Sequence, residues 1–407
     1  MAAQGKPITE ITGKAVQATG VQAAAGPNGF TREEYAARIQ STRDEMARRG
    51  LRALAVVSPE NIYYLVGLNH QGYFAFTLLL LPLAGAPVLV TRSMEGDTVA
   101  AQAPDCAHFG FQDDEEPAGA TARAIRSVLP ARATLGVELA AMFFPPEVWR
   151  RVRGLFPGLR WVDGSGIVET IRAVKSGAEI ALTRRAAAIS DIAMDAGIAA
   201  AGTGVSERAV AATVFREMFA AGSDYPGFPP HIRPTDLLGQ EHVTWGDRNL
   251  VAGNGLFFEL SACVARYHAP LSRVVYVDNA PPSVEEAAEI ALAGHDAIRK
   301  TLQPGVLTGD VYATWEETVG GAQASGHARR HHCGYLVGIG FPPSWVGGGS
   351  VTGIRRNGDL PVREGMIFHI MSWIREPVGY VVSDTALVTA EGCELLTNAS
   401  REPRIVL

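Results

Sequence analysis

The 407-residue chain is 47% apolar, enough for the sizeable cores of two or three domains. Its net charge of −6 leaves no diffuse basic surface, and the densest basic run, 327–332, is too short for a phosphate-binding stripe, which argues against nucleic acid as a partner. Cys106, Cys263, Cys333 and Cys393 lie far apart with no C-x-x-C pair, so neither a disulfide framework nor a zinc ribbon is expected and a reducing cytoplasm is the compartment indicated.

Residues 1–28 are rich in Ala, Gly and Gln without a continuous apolar core behind a basic start, and read as a flexible tail rather than a signal peptide. From Thr31 to Arg49 the spacing of Tyr35, Ile39 and Met46 predicts a helix, with Gly50 as its stop. Strands are expected over 51–58, 76–82 and 87–91, the last two joined by an Ala-Gly-Ala connection, and another helix over 120–128. The most apolar stretch, Phe74–Leu81, is far shorter than the ~20 residues that cross a bilayer, so no membrane partner is expected. These alternating elements predict an α/β N-terminal domain over 29–165.

A long helix is predicted from Ser176 to Gly202, with Leu182, Ala186, Ile189, Ala193 and Ala196 on one face and a capping box formed by Ser176 and Glu179. Beyond it the order is helix, loop, hairpin, helix (283–302), Gly-rich loop and terminal hairpin. Strands are separated from helices there, which predicts an α+β domain over 166–407.

Within FFELSACVARYHAPLSR (257–273), period-two alternation puts Phe257, Glu259, Ser261 and Cys263 on one strand face. A carboxylate in so apolar a strand is costly unless something pairs with it. Two readings follow: a structural pair with Arg273 on the returning strand, or a functional carboxylate. His242, in HVTWGDR (242–248), is either a loop histidine bonded to backbone or an acid/base, since an imidazole near its ordinary pKa of about 6.5 both takes and gives protons. His268, His369 and Asp384 are weaker polar candidates. Tyr225, Tyr335 and Trp373 are candidates for an aromatic wall around a small cation. The His331-His332-Cys333 triplet reads as a loop-to-strand junction, because adjacent residues in extended chain cannot all point at one ion. No G-x-S-x-G elbow and no phosphate loop occur.

Five segments, VKSGAEI (174–180), HVTWGDR, 257–273, GYLVGIGFPP (334–343) and EGMIFHIM…SDTALVTAEG (364–392), together resemble the pita-bread family of creatinases, Xaa-Pro aminopeptidases and ectoine hydrolases, most closely the last. The resemblance implies a creatinase-like α/β domain followed by an α+β pita-bread catalytic domain. It also implies that the metal-ligand positions of the peptidases fall on Glu259, Pro270, Tyr335, Met371 and Ser383. Proline has no donor, and Tyr, Met and Ser are poor donors for a hard divalent pair, so no metal and no other cofactor is expected. His242 takes the place of the family's proton-transfer histidine.

What the resemblance implies is a metal-independent hydrolase of C–N bonds, opening a cyclic amidine or related small cation, with Glu259 as nucleophile or water activator and His242 as acid/base. Creatine-like guanidines, a metal-dependent Xaa-Pro peptidase and a non-catalytic binding module are the alternatives. Substrate contacts are expected from Tyr225, Tyr335, His369, Trp373 and Asp384. A homodimer is also implied, in which NHQGYF (69–74), with Tyr73, closes the partner's cavity.

Overall fold

The computed structural model describes residues 28–320, 330–347, 351–375 and 377–407; the tail read above falls, up to residue 27, outside the described residues. The first half is a six-stranded sheet of β1 (Ala53–Val56), β2 (Leu78–Pro82), β3 (Val88–Arg92), β4 (Ala107–Phe111), β5 (Thr134–Val137) and β6 (Arg160–Asp163), in the order β4-β3-β2-β1-β5-β6. Helices α1 (Arg32–Arg48), α2 (Pro59–Val66), α3 (Gly96–Gln102), α4 (Pro117–Val128), α5 (Pro146–Leu155) and α6 (Ile167–Arg172) connect and flank these strands. Because successive residues of a strand point to opposite faces, Ala53 and Ala55 pack with α4 and α5, whereas Leu54 and Val56 pack into the core that α1 and α2 share. Helix α4 starts three residues before the expected Ala120, since Pro117 supplies a first-turn residue whose missing N–H costs nothing there.

The capping box at Ser176 forms as expected and starts α7 (Gly177–Ala200). It also ties the two halves together. The Ser176 hydroxyl donates to Glu34 of α1 at 2.7 Å, and the Tyr267 hydroxyl donates to Glu179 at 2.7 Å. The buried stripe of α7 contains Leu182, Ala186, Ile189 and Ala193, but its last turn buries Gly197 rather than Ala196. A Cβ at Gly197 would meet Val214 at 2.5 Å and Phe258 at 3.1 Å, so glycine lets the helix lie close on the strand behind it.

That strand belongs to a nine-stranded sheet. After α8 (Glu207–Ala220) come β7 (His231–Pro234), β8 (Gly255–Val264) and β9 (Tyr267–Val277). Helices α9 (Val284–Thr301) and α10 (Thr308–Val319) follow, then β10 (His332–Leu336), β11 (Gly353–Arg355), β12 (Ile367–Ile374), β13 (Tyr380–Thr389), β14 (Gly392–Leu395) and β15 (Arg404–Val406). The order is β11-β10-β12-β13-β9-β8-β7, with β14 beside β13 and β15 beside β9. Helix α7 backs β8 and β9, and α9 backs β12 and β13, leaving the other face of the sheet for a site. Ser190, in the middle of α7, fixes this arrangement: its hydroxyl donates to the Ala269 carbonyl and accepts from the Ala262 amide, both at 2.8 Å. Among the described residues no helix is long and apolar enough to cross a membrane.

Candidate active site

Directly opposed residues in an antiparallel pair share a face. The registers His231↔Glu259, Glu259↔Ser272, Ser272↔Ser383, Ser383↔Met371 and His369↔Tyr335 therefore carry one face across six strands. Pro270, two residues before Ser272, lies on it as well, so the five positions implied by the family resemblance converge on the face the helices leave open.

Glu259 keeps some solvent contact and makes no hydrogen bond or ion pair among the described residues. Burial pushes its carboxyl up to about 7; Arg233 and Arg330 pull against that, and Glu241 adds to it. The pairing with Arg273 does not form. Arg273 opposes Phe258, so it projects from the helix-covered face, where it donates to Asp384 at 2.9 Å. Arg233 stacks on Phe257, 4.5 Å from the ring centroid, and donates to the carbonyls of Leu237 and Val243, gripping the loop that carries His242.

The other positions hold a different network from a metal cradle. His369 bridges two of them, with Nδ1 2.8 Å from the Tyr335 hydroxyl and Nε2 2.6 Å from the Ser383 hydroxyl. Burial holds this imidazole down to about 3, so it is neutral near neutral pH. The Trp345 indole N–H donates to the same Tyr335 hydroxyl at 3.1 Å. Arg330 donates to the Met371 sulfur at 3.5 Å, pairs with Glu241 and covers Trp373 at 4.3 Å. A guanidinium beside a thioether, a proline and two hydroxyls committed to one imidazole do not fit a pair of hard divalent cations. Among the described residues no group of three or more His, Cys, Asp or Glu is placed to hold a metal ion.

His242 is exposed, with its ring 6.1 Å from that of His231 and 6.3 Å from that of Phe228. Tyr335 and His369 sit on the open face. Trp373 lies on it too, but Arg330 occupies one side of its ring. Tyr225 is covered by Arg266 at 4.1 Å, away from Glu259. Tyr73 donates to the Pro342 carbonyl at 2.9 Å and packs on Phe341 at 5.3 Å, within its own chain. Asp384 is withdrawn from the site. Its carboxylate is fully buried and accepts from Arg273, Thr397 and Arg401, with His295 Nε2 at 3.0 Å. His268 is likewise committed, accepting from the Gly227 amide at 2.8 Å. The aromatic wall that does form, Phe228, His231 and Trp345 with centroids 4.8–6.0 Å apart, escaped the sequence reading together with Arg233 and Arg330. The alternation of His231 and Arg233 in β7 was the available signal, but four residues are too few to carry a period.

Residues 181–390 match the model of metallopeptidase family M24, and residues 38–174 match the creatinase/prolidase N-terminal domain. The ectoine hydrolase of Halomonas elongata is 29% identical over 403 residues, covering 92% of this chain and 97% of that protein. Among solved structures, a recombinant prolidase from Thermococcus sibiricus superposes with a TM-score of 0.80 at 21% identity, covering 91% of this chain and 99% of that one. The dipeptidase PepE from Mycobacterium ulcerans superposes at 0.78 and 22% identity, covering 93% and 99%. The fold is a creatinase-like N-terminal domain followed by a pita-bread domain.

Proposed function

The chain belongs to metallopeptidase family M24, and we propose that it is a metal-independent member, a C–N hydrolase that opens a cyclic amidine such as ectoine. The observation that carries this reading is Glu259: a carboxylate on the open face, without a protein partner among the described residues, among side chains that suit no divalent ion. An amidinium is cationic and delocalised. It supplies the missing counter-charge, and binding brings its electrophilic carbon against the carboxylate. The Phe228, His231 and Trp345 rings offer the cation an aromatic wall.

Glu259 either attacks that carbon, giving an adduct that water opens, or orients the attacking water itself; His242 moves the protons in both versions. The similarity to an ectoine hydrolase along nearly the whole chain supports the substrate class. Phe74, 79% exposed on the 69–74 loop, supports a homodimer in which this loop reaches the partner's cavity. Light scattering tests the dimer, and a monomer fully active at nanomolar concentration would remove it.

The decisive experiment is mass spectrometry of the purified protein incubated with ectoine, hydroxyectoine, creatine or a proline dipeptide. A gain of one water by ectoine, yielding an N-acetylated diaminobutyrate, is expected. Cleavage of the dipeptide alone would favour a peptidase, and turnover of creatine alone a guanidine hydrolase.

A further inference from the structure

His231 stands directly across from Glu259, and the two side chains leave the same face with Cβ atoms about 5 Å apart. Even so, no hydrogen bond or ion pair joins them among the described residues. The imidazole instead turns toward the aromatic wall, with its centroid 5.3 Å from Phe228, 6.0 Å from Trp345 and 6.1 Å from His242. It is 4% exposed, and its Nδ1 is buried without a hydrogen-bond partner. Buried polar atoms in folded proteins are nearly always bonded, so an uncommitted ring nitrogen on the residue paired directly with Glu259 is the arrangement of a group that awaits a reacting atom.

We propose that His231 is a catalytic residue of this site, the base that takes a proton directly from the attacking water, with exposed His242 exchanging protons between it and solvent. This rests on the amidine-hydrolase reading above. The water oxygen forms a bond to the amidinium carbon as one of its protons passes to His231. That proton is then delivered to the leaving nitrogen as the C–N bond breaks. The water oxygen ends as the amide oxygen and both its protons end on the freed amine, now an ammonium, so charge balances and no oxidant or further reactant is needed.

The charged and titratable groups around His231 keep its ring unprotonated and so able to accept a proton. Burial first, then the Arg233 charge and His242, holds its pKa down to about 4, so the ring is neutral at pH 7. Glu259, opposite, is pushed the other way, to about 7.

The test uses full-length protein with ectoine as the probe, comparing wild type, His231→Asn, His231→Gln, His231→Gly and His242→Asn for kcat, KM and the pH profile. In whichever of the Asn and Gln variants melts as wild type does, kcat should fall by ~10²- to 10⁴-fold with KM within a few-fold. Added imidazole, which fits the space vacated in His231→Gly, should recover part of the rate; the deficit of His242→Asn should instead shrink with rising concentration of any small buffer. A folded His231 variant within threefold of wild-type kcat, or a folded glycine variant deaf to imidazole, overturns the assignment while leaving the hydrolase reading intact. Wild type that turns over none of ectoine, hydroxyectoine and creatine overturns both.

Discussion

The hydroxyls of Tyr335 and Ser383 are tied together through one imidazole, His369, at 2.8 Å and 2.6 Å. Both residues occupy positions at which the metal-binding relatives were expected to carry ligands. Here both hydroxyls are engaged by a neutral ring, and a cation there would lose that network without gaining an anionic donor.

Activity is therefore expected to survive exhaustive dialysis against a strong chelator. Elemental analysis of the active protein should find far less than one transition-metal ion per chain. Stoichiometric manganese, cobalt, iron or zinc, with activity lost on removal and regained on return, would refute the metal-independent reading.

Glu259→Gln keeps the shape and removes the charge and the nucleophile, so turnover should fall by at least ~10³-fold. Stability should move the opposite way. The carboxyl is raised in the folded state, so its ionisation costs stability once the pH rises above the ordinary value of 4.5, and the cost is fully developed above about 7. The glutamine variant should be more stable than wild type at pH 8 by about 1–2 kcal/mol, with the difference gone by pH 4; the residual solvent contact of Glu259 keeps the gain modest. Near-normal turnover would make Glu259 structural.

Cation binding should release protons. With its carboxyl near 7, Glu259 is about half protonated at pH 7, and an amidinium beside it favours the carboxylate. Calorimetry of a non-hydrolysed amidinium in buffers of different ionisation enthalpy should report up to about half a proton released per site at pH 7, falling toward zero at pH 9. Proton uptake, or no buffer dependence at pH 7, would count against Glu259 as the cation's partner.

His242→Ala should lower turnover by roughly 10²- to 10⁴-fold without unfolding the chain, since the residue is exposed. A variant with unchanged rates across pH would leave it a rim residue of no chemical consequence.

Asp384→Asn is expected to be a folding defect. Burial alone would raise this carboxyl, but Arg273, His295 and Arg401 outweigh burial and hold it well below the carboxylate range. Its contribution to stability is thus present above about pH 4 and is lost as the pH falls below that. Removing the charge leaves Arg273 buried and uncompensated, costing about 3–5 kcal/mol at pH 7 and progressively less as the pH falls below about 4. A melting temperature equal to wild type at pH 7 would contradict this.

Local signals determined a good part of this protein. Ser176 and Glu179 announce the start of α7 because a capping box is made within four residues. Period-two alternation puts Glu259 on the face of Phe257 and Ser261 whatever the strand pairs with. Unsuitable donors at Pro270, Tyr335, Met371 and Ser383 are legible one residue at a time. Only the tertiary structure decided which groups meet. Arg273 and Asp384 turn to the helix-covered face because β8 pairs with β9 in a register that opposes Arg273 to Phe258, and β12 with β13 in one that opposes Asp384 to Ile370. His231 comes opposite Glu259 through β7, a strand of four residues too short to declare itself, and Arg330, just before β10, reaches Met371 on the neighbouring strand β12. Strand period is a property of the backbone, but pairing and register are settled by which faces the whole chain can bury.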